Sequence, residues 1–155
     1  MQPVRAVGRL AAIGIAIVIA GGGGCSSCKK SNALAELTAS DGPVERQANG
    51  ESSWNKVEIG AKYFLGDAAR TGDGGAKLQL SGGALIEMEK HTVLRFGGKA
   101  GKSQISVEVG AIDLSGTGNY GLDIGDVKLS SGKIHIAARG DGKSEITLTL
   151  GQAQV

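Results

Sequence analysis

Aromatic residues are scarce in this 155-residue chain, at 3% of positions. A core must therefore be built from Leu, Ile, Val and Ala, and an apolar content of 41% is enough for one. Acidic residues are absent before Glu36, whereas Arg5 and Arg9 stand near the front. The formal charge of +2 comes entirely from those two arginines: without residues 1–24, 17 − 2 = 15 basic side chains face 15 acidic ones. A neutral domain with scattered charges has no electrostatic footprint for nucleic acid, and none is expected as a partner. Glycine is the opposite case. Its 27 copies supply tight turns and disfavour long helices, which points to many short strands.

Reactive chemistry is equally thin. His91 and His135 are the only histidines. His91 falls in a turn, and His135 lies between Ile134 and Ile136 on the polar side of a strand, where histidine is ordinarily a surface residue. No serine occupies a G-x-S-x-G elbow. Glu87 and Glu89 share the face opposite Ile86 and Met88; paired carboxylates serve hydrolysis in some enzymes, but on a strand's polar face they keep it solvated. The stretch Gly72-Asp73-Gly74-Gly75 resembles one calcium-binding β-roll turn, a motif that ligates only when it repeats from rung to rung. Gly97-Gly98-Lys99 lacks the glycine spacing and following helix of a phosphate loop. No catalytic residue, cofactor or metal is therefore expected.

The front of the chain has a different character. Arg5 and Arg9 precede an uncharged apolar run at residues 10–20 (LAAIGIAIVIA), then four small residues and Cys25. The run is short of the roughly 20 apolar residues that span a bilayer. It has the length of a secretory signal core, so residues 1–24 read as a signal peptide, with an uncleaved anchor as the alternative. Cys25 after Gly22-Gly23-Gly24 resembles the lipobox of bacterial lipoproteins, although that pattern has an apolar residue where Gly22 stands. The resemblance implies acylation of Cys25, a membrane anchor, and, with Ser26 following, transfer to an outer membrane. Cys25 and Cys28 also form C-x-x-C, but no strand precedes them and no further ligands are spaced to complete a redox or zinc site. Residues 25–34 read as a polar tether.

From residue 35 to the end, apolar and polar residues alternate in short bursts, the mark of half-buried strands. Ala76, Leu78 and Leu80 fall on one face, and Ala84, Ile86 and Met88 follow after Ser81-Gly82-Gly83. Thr92, Leu94 and Phe96 continue the pattern, then Ile105, Val107 and Val109, then Ile112 and Leu114. Leu122, Ile124, Val127 and Leu129 come next; Ser130-Ser131-Gly132 reads as a turn before Ile134 and Ile136, and Ile146, Leu148 and Leu150 close the series. Strands of roughly 15–20 Å are expected. The predicted class is all-β, a compact β-solenoid or β-sandwich over residues 35–155.

Several anchors within residues 37–114 resemble the FecR domain, a periplasmic module of bacterial cell-surface signalling. They are Trp54, Val57 and Gly60; Gly66-Asp67; Arg70-Thr71-Gly72; and Ala76, Leu78, Leu80 and Gly83. Later strands, to Gly151, follow the module more loosely, bringing coverage to about three-quarters of the chain. Gly60, Gly66 and Gly83 stand where the chain reverses, Asp67 is suited to capping a turn, and Trp54 is expected as a partly buried anchor. The best-known members add a cytoplasmic helical segment that controls a sigma factor. Nine residues before the apolar run do not hold one, so the module is expected without that apparatus. The resemblance implies a non-catalytic binding or scaffold domain in the envelope, with a protein or glycan partner. Its rivals are a signalling regulator anchored by residues 10–24 and an enzyme acting on an envelope polymer.

Overall fold

A period-two pattern buries one face of a strand, and the described chain is built from such strands. The computed structural model describes residues 32–99, 102–139, 141 and 144–154, and among these there is no helix. Residues 1–31, and with them the export segment and Cys25, lie outside the described residues. The strands are β1 (Ala35–Ser40), β2 (Val44–Gln47), β3 (Asn55–Val57), β4 (Lys62–Tyr63), β5 (Ala68–Thr71), β6 (Ala76–Leu80), β7 (Leu85–Met88), β8 (Val93–Lys99), β9 (Lys102–Val109), β10 (Ala111–Leu122), β11 (Gly125–Ala138) and β12 (Ser144–Gln154). The all-β class is thus the observed one.

All of these strands join one curled sheet, with β10 as its hub. Along one edge β10 pairs with β11 from Ala111↔Ala137 to Leu122↔Gly125. Along the other it pairs first with β7, through Ile112↔Met88 to Ser115↔Leu85, and then with β9, at Gly121↔Gln104 and Leu122↔Ile105. Between those two stretches, at residues 116–120, the sheet forks. One arm runs β7-β6-β1-β4 and the other β9-β8-β5-β2-β3. Pairing is antiparallel at every step but β9–β10.

Both arms and the hub feed one core. Leu37, Leu78 and Ile86 come from the first arm, Leu94, Phe96 and Val107 from the second, and Ile112, Leu114, Ile134 and Ile136 from β10 and β11. Burial removes apolar surface from water at about 25 cal/mol per Å2, and this shared face holds the arms together. Tyr63 fills the centre beside Phe96, with ring centroids 5.6 Å apart. Its hydroxyl is buried and has no hydrogen-bond partner among the described residues. Burial pushes the phenol up to about 12, against an opposing pull from Arg46. Below pH 10 the phenol is neutral in both states; above it the unfolded chain ionises first, so stability falls as pH climbs toward 12. Tyr63→Phe is expected to hold stability at pH 7 or raise it by about 1 kcal/mol, and to flatten that alkaline limb. A loss above 1 kcal/mol in thermal melts would show that the hydroxyl is satisfied.

Three details depart from the sequence pattern. The Ser130-Ser131-Gly132 stretch is no turn: β11 passes straight through it, with a register shift between Leu129 and Ser131. Glycine is required at 132 for close approach, because a Cβ there would run into the Leu150 carbonyl. Strands β10, β11 and β12 therefore have 12, 14 and 11 residues, roughly 35–45 Å, well beyond the expected length. Val109 is 54% exposed, although Val107 is buried, because a bulge opposite Val93 and Leu94 turns it outward. Ile124, Leu148 and Leu150 are likewise exposed, since they lie at a hairpin tip and on an edge strand.

Candidate binding surfaces

Gly60, Gly66, Asp67 and Thr71 stand at joints between the arms, whereas Gly83 turns the β6–β7 hairpin within the first arm and Trp54 precedes β3 within the second. Gly60, Gly66 and Gly83 have φ of 94°, 91° and 91°. At Gly66 this left-handed backbone lets the turn after β4 in the first arm bond to β8 in the second: Gly66 N donates to Phe96 O at 2.6 Å, and Phe96 N to Asp67 O at 2.9 Å. Asp67 is buried, and its carboxylate accepts from Phe64 N at 2.9 Å, Asn49 N at 3.0 Å and Arg46 Nε at 2.8 Å. Thr71 Oγ1 donates to Glu89 O at 2.6 Å and accepts from Thr92 N at 2.9 Å; Thr92 Oγ1 in turn donates to Ala111 O at 3.1 Å. These two buried hydroxyls fasten both arms to the start of β10. Trp54 is half-buried, with the Arg70 guanidinium 4.4 Å above its ring and Arg70 paired to Glu45.

Strand register builds a polar row that residue spacing did not reveal. Lys77, Glu87, Asp113 and His135 face one another across β6, β7, β10 and β11. Glu87 lies 2.8 Å from Lys77 and 2.9 Å from Lys133; Lys133 also reaches Asp113 at 3.0 Å. His135 Nδ1–H donates to Asp113 Oδ1 at 2.9 Å. Hydrogen bonds from Lys77, then Lys133, bring Glu87 down to about 2. Burial opposes ionisation of Asp113, but Lys133 and His135 outweigh it and hold that carboxyl below its usual range. The same contacts, from Glu87 first, raise Lys133.

A depressed carboxylate stabilises the fold above its unfolded value and ceases to do so as pH falls through its folded value. For Glu87 that window runs from 4.5 down to about 2. Glu87→Gln is expected to cost about 1 kcal/mol at pH 7, since a third of the side chain meets solvent and screens the pair, and to cost only a small part of that at pH 2, where the folded carboxyl is already half protonated. Urea melts at the two pH values check this; equal losses at both would refute it.

Glu89 is exposed beyond the end of β7, and His91, at φ 54°, lies 3.3 Å from the exposed Asp73. Neither joins the row. Among the described residues no three His, Cys, Asp or Glu side chains gather as metal ligands would.

Two further features are open to partners. Among the described residues the outer edge of β12 has no pairing partner; β12 pairs there with β11 alone. Residues 146–155 carry no charge, and Leu148 and Leu150 are 47% and 70% exposed. The second feature is a cavity of about 530 Å3 where the sheet forks. Leu34, Leu80, Phe96, Ile105 and Val127 line it, with Tyr120 as a wall and Ser81, Asn119, Asp126 and Lys128 at its polar margin. The alternation of apolar residues marked most of that lining as core, but only the fork turns it into a hollow. No protein family, curated protein or solved structure matches this chain.

Proposed function

We propose that this chain is a non-catalytic, FecR-like module of the bacterial cell envelope, anchored to a membrane through acylated Cys25, which works by binding a protein partner. The observation that carries this reading is the free edge of β12, 11 residues long and uncharged from residue 146. Natural edge strands are normally blunted by lysine, proline or brevity, and the end strands β3 and β4 are only 3 and 2 residues long. An added strand would satisfy the open backbone groups of β12, while Leu148 and Leu150 supply apolar contact. The FecR-like spacing supports the module assignment, with Gly60, Gly66 and Asp67 at the joints of two arms around one core, a sandwich-like form. Glu87, Asp113 and His135 are held by lysines and by each other on a strand's polar face, an arrangement that favours solvation over acid–base work.

Residues 33–155, used as bait in an envelope extract, are expected to capture a protein, and Leu148→Lys with Leu150→Lys to abolish capture by charging the edge. Recovery of nothing by the unaltered bait, or equal recovery by the double variant, would sink the reading. Globomycin is expected to block maturation of the full chain. Insensitivity to it would favour residues 10–24 as a retained anchor.

A further inference from the structure

The fork cavity has a chemistry of its own, separate from the β12 edge. Its floor is hydrocarbon from both arms and β11: the partly exposed Leu34 and Leu80 on one side, and the buried Phe96, Ile105 and Val127 beneath. A polar group pushed onto that floor would lose its hydrogen bonds to water without replacement. The part of a ligand that enters must therefore be apolar, and about 530 Å3 lies within the roughly 300–1,000 Å3 of small-molecule sites. The Tyr120 wall is preformed. Its hydroxyl donates to Thr117 O at 2.8 Å, and its ring lies against Gly118, where any Cβ would collide with it.

The margin selects the head group. Asp126 already has a partner. Lys128 is exposed and makes no ion pair among the described residues, so an unpaired positive charge stands at the margin. Asn119 and Ser81 add hydrogen-bond donors beside it. We propose that this cavity binds a single-chain anionic amphiphile, with the acyl chain on the apolar floor and a carboxylate or phosphate head at Lys128.

The test follows displacement of N-phenyl-1-naphthylamine fluorescence from residues 31–155, the compact unit that contains the entire described core. Competitors are dodecanoate, dodecyl phosphate and dodecyltrimethylammonium, each below its micellar concentration. Both anions are expected to displace the probe, and the cation to need roughly ten-fold more. Lys128→Glu, at an exposed position that leaves folding intact, is expected to reverse that preference. Ile105→Trp is expected to fill the floor and remove probe binding. No probe binding by the unaltered protein, or indifference of the head-group preference to Lys128→Glu, overturns the proposal. Sedimentation with phosphatidylglycerol vesicles separates the source of the chain: association with vesicles but no displacement by free dodecanoate would mean a bilayer surface, and would also overturn it.

Discussion

Asp67→Ala is expected to lower the unfolding free energy by about 3–5 kcal/mol, the cost of breaking a buried ion pair from one side. The carboxylate is 2% exposed and takes three donors from separate parts of the chain. Without it, the Phe64 and Asn49 amides lose their acceptor and the Arg46 guanidinium is left without its counter-charge. The turn it holds is the one that bonds β4's arm to β8, so the loss falls on the closure of the two arms. Asp67→Asn keeps an acceptor oxygen but not the charge, and a loss of about 2 kcal/mol is expected. Urea denaturation with an unchanged m-value reads both numbers. A loss under 1 kcal/mol for the alanine variant would mean that water replaces the carboxylate and the joint is not structural.

Ile112→Ala is expected to cost about 3–4 kcal/mol, from lost transfer energy plus the cavity left behind. Ile112 is fully buried and pairs with Met88 of the first arm and Ile136 of β11, where the surroundings cannot collapse without moving two strands. Ile146→Ala is the control. That residue is half-buried on the edge strand, and a loss of about 1 kcal/mol or less is expected. Similar losses at the two positions would show that β12 is as integral to the core as the hub.

Local chemistry was open to reading in the chain itself. Alternation at Ala76, Leu78 and Leu80, or at Leu94 and Phe96, marks buried faces because a strand's side chains alternate whatever it pairs with. The same rule failed at Val109, Leu148 and Leu150. There, exposure depends on a bulge or on what lies across the edge, and neither is a property of the segment. Ser130-Ser131-Gly132 has the composition of a turn, but its glycine answers to the approach of β12, which no local rule anticipates.

The amino-acid order by itself determined an all-β class and the reversals at Gly60, Gly66 and Gly83. Each rests on short-range sterics and periodicity. Only the tertiary structure decided that β10 splits its pairing between two arms, that Lys77, Glu87, Asp113, Lys133 and His135 form one ion-pair row, and that a hollow opens at residues 116–120. The reason is physical: register and strand order are set by contacts between residues far apart in the chain, chosen by how the whole apolar face closes on itself.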